Sequence, residues 1–322
     1  MQSAAGGSTA APKLSPGRLR RTPEHEAVAQ THSPEPAASG PKAIETPLAP
    51  PYDAGHFLLT LLWSADPVLA ARADAAGIDR IGLDLEVLGK AERQRGLRTL
   101  ISSHAEHQLR DMRRAVTRGE LFCRINPIHD NSEAEINRVL AYGVEVLMLP
   151  MFTTVAEVEA FVALVRGRAK AVPLLEHELA VRHVEEIVRI PGLDCVHVGL
   201  TDLSLSLGAP NRFALLASPL LDRIAAAVHG QRLRLCVGGI GRALDDSQPI
   251  PSDVIYAQYP RLDATGALVS RAFFGANPAL IDIDVEVRRC RERMARLRLC
   301  SAAELDAARE RLLSCTKTAL RG

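Results

Sequence analysis

Eight short apolar runs, each followed by a segment with helical periodicity, are the feature that most restricts how this chain can fold. Each run is rich in Val, Ile and Leu along its length, which is typical of a parallel strand buried on both faces. Eight strand–helix units in succession predict an α/β fold, a (β/α)8 TIM barrel. The runs are Phe57–Trp63, Arg80–Leu85, Leu121–Ile125, Val144–Met151, Ala171–Leu175, Cys195–Leu200, Leu233–Val237 and Ala267–Phe274.

The segment before the predicted barrel has a different composition. Nine of the 20 prolines lie in residues 1–51, among many Ala, Ser and Gly residues and without a hydrophobic period, so we expect a disordered tail. A transit peptide is an alternative for its beginning, because the first 22 residues carry four basic residues and no acid. We divide the chain into this tail over 1–51, a barrel over 52–278 and C-terminal helices over 279–322.

Capping signals mark several helices. Asp66-Pro67 predicts the start of the first helix, and Thr154 with Glu157 predicts a capping box further along. Two helical segments, roughly 279–299 and 302–320, follow the eighth run, and Ser301 with Glu304 begins the second. These helices lie outside the barrel count and could cover its bottom or reach a neighbouring subunit. We expect a homo-oligomer that associates through them.

Composition excludes several functional classes. The net charge is only +1, which argues against a nucleic-acid partner. No apolar run approaches the roughly 18–20 residues needed to cross a bilayer, so we expect no membrane partner. The six cysteines form no CxxC pair, which argues against a disulfide framework or a zinc site and favours a cytoplasmic location.

Polar residues close several of the apolar runs, at the barrel end where such enzymes carry their chemistry. Glu176 ends the fifth run and Asp202 follows the sixth, 26 residues later. Adjacent strands lie roughly 5 Å apart, so the two carboxylates can share one hard divalent cation, with Mg²⁺ as the first choice. Arg124, two strands away, could hold a substrate carboxylate. A carboxylate at a strand end is ordinary, and an Arg–Glu pair also fits an ion pair, so spacing alone leaves the metal site open.

These residues lie in motifs that resemble the HpcH/HpaI aldolase/citrate lyase family. The strongest match runs from Leu175-Glu176 through Pro191-Gly192 to Gly199-Leu200-Thr201-Asp202-Leu203-Ser204. The family has an "IE" strand end, a "PG(V/I)D" turn and an "IGxxDLS" segment at the same interval. The resemblance, over about residues 56–275, implies that Glu176 and Asp202 bind a divalent metal, Mg²⁺ or else Mn²⁺ or Co²⁺.

Further motifs extend the resemblance. Arg124-Ile125-Asn126-Pro127 is similar to the family's "R(V/I)NP", whose arginine contacts the substrate carboxylate, so Arg124 is a candidate for both substrate binding and catalysis. Residues 143–151 resemble the fourth-strand "GAxxVMLPM", and Asp84-Leu85-Glu86 resembles a "DLE" at the end of strand two. Residues 89–94 and 101–104 resemble a bacterial branch with "GKxERQ" and "ISRH". Backbone N–H groups around Gly199 and Thr201 are candidates for binding the substrate and its enolate oxygen.

One position departs from the family pattern. Family aldolases carry a histidine directly after the second-strand acid, as their general acid/base, whereas this chain has Val87. The citrate-lyase-like side of the family lacks that histidine too. We expect Glu86, or else His129 or His104, to move the proton in its place.

The sequence therefore predicts a metal-dependent carbon–carbon lyase of the aldolase type. Its substrate would be a small 2-oxo acid, which reacts through a metal-stabilised, pyruvate-like enolate. Two alternatives stay open: Claisen-type chemistry of a citrate lyase or citrate synthase, and a barrel that binds an oxo acid without catalysis.

Overall fold

Eight parallel strands close into a barrel in the order of the chain. The computed structural model describes residues 55–90, 104–209, 211–245, 250–275 and 277–319. The predicted tail over 1–51 and the motif residues 91–94 and 101–103 lie outside this range. The strands are β1 (Leu58–Leu61), β2 (Arg80–Asp84), β3 (Glu120–Arg124), β4 (Val146–Leu149), β5 (Lys170–Leu175), β6 (Cys195–Val198), β7 (Arg234–Ile240) and β8 (Gly266–Val269). The predicted TIM barrel is confirmed.

Helices connect the strands on the outside of the barrel. The described helices of the barrel are α1 (Pro67–Ala75), α2 (Leu109–Ala115), α3 (Ser132–Ala141), α4 (Val155–Val165), α5 (Glu178–Arg182), α6 (Val184–Ile187), α7 (Leu200–Ser206), α8 (Arg212–Leu216), α9 (Pro219–Gly230), α10 (Ser252–Tyr256), α11 (Gln258–Arg261) and α12 (Arg271–Phe274). Two longer helices follow, α13 (Ile283–Leu297) and α14 (Ala302–Ala319).

Alternation along each strand separates two apolar cores. One set of side chains fills the barrel interior, including Phe122, Met148 and Leu174. The other set lies between strands and helices, including Val196 and Val198 of β6. Since successive side chains of a strand point to opposite faces, Cys195 and His197 of β6 point inward. Burial on both faces explains why the strands have continuous apolar sequences.

The predicted caps form as hydrogen bonds. The Asp66 carboxylate accepts from the Val68 N–H at 2.9 Å and so begins α1. Glu157 N–H donates to the Thr154 hydroxyl at 3.3 Å, while the Glu157 carboxylate accepts from Thr154 N–H at 2.9 Å. Ser301 and Glu304 form the same reciprocal pair before α14. The sequence was sufficient to predict these caps, because a cap depends only on residues within one helical turn.

The predicted eighth strand, Ala267–Phe274, is too long. Strand β8 ends at Val269, and the chain then turns into α12. Ser270 N–H donates to Ile240 O at 2.8 Å, and Phe273 N–H donates back to Ser270 O at 3.0 Å. Phe274 packs edge-to-face on Trp63 with ring centroids 5.0 Å apart, so this apolar segment is buried as a helical turn. An apolar run by itself does not distinguish the two conformations.

The C-terminal helices pack on the side of their own barrel. From α13, Arg291 forms an ion pair with Asp79 at 2.9 Å. From α14, Arg309 donates to Ala217 O at 2.8 Å and pairs with Asp222 at 3.3 Å. Association through these helices therefore stays a prediction. Among the described residues, no helix has the length and apolar character needed to cross a membrane.

Candidate functional site

A cavity of about 390 Å³, the mouth cavity, opens at the carboxyl ends of the strands. Loops and short helices that follow β5, β6, β7 and β8 surround it, and barrel-interior side chains form its floor. It is the end of the barrel at which TIM-barrel enzymes place their chemistry. The lining residues are Trp63, Arg124, Met148, Leu174, Glu176, His197, Gly199, Leu200, Thr201, Asp202, Arg212, Gly238, Gly239, Leu268, Ser270, Arg271 and Ala272.

Glu176 follows β5 directly and is held in one orientation. Its Oε1 accepts from the Met151 N–H at 3.1 Å, and its side chain is only 2% exposed. A Cβ built on Gly199 would lie 2.8 Å from Glu176 Oε2, so the absence of a side chain there makes room for the carboxylate. Burial, together with the negative charges of Asp202 and Glu86, raises the pKa of Glu176 to about 8 against the opposing effect of Arg124.

Asp202 lies in the first turn of α7, directly above β6. It lines the same cavity as Glu176, and its charge acts on the Glu176 carboxyl. Gly199 precedes this turn and Thr201 lies within it, and both line the cavity as well. The structure therefore brings together the two predicted metal ligands and the two predicted substrate-binding residues at one wall.

The donor set suits a hard divalent cation that keeps open positions. The described residues contain no group of three or more His, Cys, Asp or Glu side chains arranged to hold a metal ion. Glu176 and Asp202 would supply two carboxylate oxygens, and Mg²⁺ is commonly held by one or two carboxylates with waters and substrate as further ligands. The cavity beside them has the volume for those ligands. The residues present thus fit a cation that a chelating substrate shares.

Arg124 lines the cavity, but most of its guanidinium is engaged by the protein. Its Nε and Nη2 donate to the two carboxylate oxygens of Asp84 at 2.8 and 2.7 Å. Nη2 also lies 3.2 Å from Glu86 Oε2. Among the described residues, Nη1 is the nitrogen without a protein partner. A substrate carboxylate would therefore meet one N–H edge of Arg124 rather than its full fork.

Glu86 lies two residues beyond the end of β2, beside this arginine and outside the cavity lining. It is 2% exposed, and its Oε2 lies 3.9 Å from Lys90 Nζ. Lys90 also pairs with Asp84, so two carboxylates and two cations form one buried cluster. Burial would raise the pKa of Asp84, but Arg124 and Lys90 outweigh it and lower that pKa. In this position Glu86 pairs with the positively charged side chains of Arg124 and Lys90.

His129 and His104, the other two candidates for proton transfer, also lie outside the cavity lining. His129 Nε2 is 2.9 Å from a Glu135 oxygen, beside α3. His104 Nδ1 accepts the Asp84 N–H at 3.0 Å, and burial lowers its pKa. Both rings are held by the protein itself, and the structure does not bring them together with Glu176.

Several residues of the cavity lining were not predicted as site residues, among them His197, Arg212 and Ser270. His197 had a usable signal, because period-two alternation from Gly199 places it on the inner face of β6. Arg212 begins α8 and stacks on Phe213, and nothing in its local sequence marks it as part of the rim. Trp63 also lines the cavity, with the guanidinium of Arg271 above its ring at 5.5 Å.

A sequence comparison identifies the family. The sequence profile of the HpcH/HpaI aldolase/citrate lyase family matches residues 59–214, which contain Arg124, Glu176 and Asp202. This region of the chain belongs to the family. Its members are generally aldolases and lyases. No curated protein matches the chain in sequence.

Solved structures of the family share the fold at low identity. An HpcH/HpaI aldolase from Desulfitobacterium hafniense DCB-2 is 16% identical with a TM-score of 0.52, over 67% of this chain and 87% of that one. An HpcH/HpaI aldolase/citrate lyase family protein from Burkholderia cenocepacia J2315 is 17% identical with a TM-score of 0.54, over 76% and 96%. The citrate synthase SbnG is 17% identical with a TM-score of 0.51, over 67% and 87%.

Proposed function

We propose that this chain is a divalent-metal-dependent carbon–carbon lyase of the aldolase type that acts on a 2-oxo acid. The observation that carries the proposal is the placement of Glu176 and Asp202 on one wall of the mouth cavity. Two buried or half-buried carboxylates beside an arginine form a site for a cation and an anionic chelator. Membership of the family supports the reaction class.

Each residue of the site has a distinct task in this proposal. Glu176 and Asp202 hold the cation, which supplies Lewis acidity toward the keto oxygen of the substrate. Arg124 offers its Nη1 edge to the substrate carboxylate, and its other nitrogens stay with Asp84. The Gly199 N–H is not available for this, because it donates to Leu175 O at 2.9 Å, so the backbone N–H groups of Leu200 and Thr201 would face the oxygen on which negative charge develops. Trp63 and Leu268 wall the cavity and limit access of water.

Proton exchange at pyruvate tests the enolate chemistry without knowledge of the second substrate. The protein is incubated with pyruvate and Mg²⁺ or Mn²⁺ in D₂O, and loss of the methyl proton signal is followed by NMR. We expect exchange that requires the cation and is abolished in Glu176→Gln and in Asp202→Asn. A folded, metal-loaded protein that gives no exchange would contradict the pyruvate-enolate proposal and leave a binding role.

A Claisen-type reaction on a citrate-like substrate is the second candidate. Two further arginines, Arg212 and Arg271, line the cavity and would suit a substrate with more than one carboxylate. The shared fold of the citrate synthase SbnG is compatible with this chemistry. Release of free thiol from acetyl-CoA in the presence of oxaloacetate, measured against the pyruvate exchange rate, separates the two candidates.

We also propose that the chain forms a homo-oligomer through its C-terminal region and works in the cytoplasm. Two leucines that flank α13 support the first part, because Leu280 is 83% exposed and Leu299 is 88% exposed. They lie at opposite ends of this 15-residue helix, so each offers a separate apolar contact to a second copy of the chain. Sedimentation analysis of the purified protein and of Leu299→Glu measures the association directly, and a monomer at all concentrations would contradict it.

A further inference from the structure

His197 is the one histidine, among the residues that the structure describes, that lines the mouth cavity. It belongs to β6 and points into the barrel, and it is only 3% exposed. Its neighbours in register are Leu174 on β5 and Cys236 on β7. The ring therefore forms part of the cavity floor, below the level of Glu176.

The surroundings of the ring hold it in place without a carboxylate. The imidazole hydrogen-bonds with the side chain of Cys236, its partner in register on β7. A Cβ built on Gly238 would lie 3.3 Å from His197 Nε2, which is tighter than ordinary side-chain contact. A glycine at this cavity-lining position thus leaves the space that the ring nitrogen occupies.

Cleavage of a carbon–carbon bond next to a hydroxyl needs a group that accepts and returns a proton near neutral pH. Among the titratable cavity residues, Glu176 and Asp202 are assigned to the cation. The arginine side chains stay protonated and cannot serve as bases. An imidazole ring has two nitrogens, of which one can accept a proton while the other donates, so the His197 side chain has the required chemistry.

We propose that His197 is the proton-transfer residue of the reaction, an inference that rests on the proposed lyase function. In the cleavage direction, the imidazole takes the proton of the substrate hydroxyl, and the carbon that carried this hydroxyl becomes an aldehyde. The bond to the neighbouring methylene breaks, and its electron pair forms the enolate of the 2-oxo acid. The imidazolium then gives the same proton to the methylene carbon, which becomes a methyl group. The proton and the electrons balance with no further reactant.

Methyl-proton exchange of pyruvate in D₂O tests this role with His197→Gln and His197→Leu. The first keeps a polar side chain, and the second keeps the apolar packing of the cavity floor. We expect the exchange rate to fall by about 100-fold or more in both. Mn²⁺ affinity, measured by electron paramagnetic resonance, should stay within about threefold of the unchanged protein. His183→Gln, an exposed histidine paired with Glu186, is the matched control and should exchange normally.

Added imidazole separates a chemical role from a structural one. We expect added imidazole to restore part of the exchange in His197→Gln, where a proton carrier is missing, and none in Glu176→Gln. If either folded His197 variant exchanges within about threefold of the unchanged protein, the inference is wrong while the lyase function stands. If the unchanged protein shows no exchange, the lyase proposal fails and this inference fails with it.

Discussion

Replacement of Gly199 by alanine changes the candidate metal site by one methyl group. The new Cβ would lie 2.8 Å from Glu176 Oε2 and 2.9 Å from Glu176 Cβ. Carbon atoms pack at about 3.5–4.0 Å, so the contact is short by roughly 0.6–1 Å. The backbone of Gly199 has φ −88° and ψ 90°, which alanine can adopt, and its N–H is fixed to Leu175 O at 2.9 Å. We therefore expect Glu176 to move as a whole, because its Cβ follows the backbone at the end of β5 and cannot turn away by rotation of the side chain.

The consequence should be larger for metal binding and catalysis than for folding. A shift of about 1 Å at a reacting group can cost on the order of 100-fold in rate. Disturbance of the groups that orient a metal ligand typically costs about 10–100-fold in metal affinity. The assays are Mn²⁺ affinity by electron paramagnetic resonance and pyruvate methyl exchange in D₂O. Gly230→Ala is the matched control, because a Cβ there would meet no atom within 4 Å.

A negative result would be clear. If Gly199→Ala binds Mn²⁺ and exchanges pyruvate protons as Gly230→Ala does, Glu176 is not the ligand that Gly199 makes room for. A general loss of folding is a separate outcome, and thermal unfolding of both variants detects it. Loss of both functions at an unchanged melting temperature would support the assignment.

Three further predictions concern the barrel. Asp84→Asn removes the buried partner of Arg124 and Lys90 and should lower the free energy of unfolding, measured by urea titration, by about 3–5 kcal/mol. Asp111→Asn, in an exposed ion pair, is the control and should change it by under about 1 kcal/mol. The pKa of Asp74 is lowered, because hydrogen bonds from residues 117–119 outweigh burial. Its stabilising effect should hold above an ordinary pKa of about 3.9 and fade below it, so the urea midpoints of unchanged protein and Asp74→Asn should converge as the pH falls through that range. Gly82→Ala would place a Cβ 1.5 Å from Phe122 O, and the expected result is insoluble protein on expression.

The strand pattern was predictable because it depends on local burial, whereas the state of Arg124 was not. The sequence indicates an arginine at the end of β3 and an acid at the end of β2. Their Cα atoms are paired in register, so Arg124 and Asp84 meet side by side. Lys90 joins them from the following turn. A charged residue at the end of a strand can face the cavity or an oppositely charged neighbour. Which of the two occurs depends on strand register and on the course of the loops, and the spacing of residues along the chain does not reveal either.

His197 is the opposite case, because the sequence alone indicates that its side chain points into the barrel. Cys195, His197 and Gly199 alternate along β6, so an inward position follows from strand periodicity alone. The loop histidines predicted for proton transfer are held elsewhere, His129 by Glu135 and His104 by the Asp84 N–H. In a closed barrel, the inner face of a strand near its carboxyl end is as good a place for a site residue as the loop above it.

The charges around the cavity explain why a cation suits this wall. Asp84, Glu86, Arg124 and Lys90 carry two negative and two positive charges, so the cluster largely neutralises itself. Arg124 lowers the pKa of Glu176, but burial and the negative charges of Asp202 and Glu86 outweigh it, and the pKa of this carboxyl rises to about 8. A divalent cation between Glu176 and Asp202 would reverse that balance, because it supplies the positive charge that the ionised forms of both carboxyls need. The same two acids that repel one another in the protein alone would then become joint ligands.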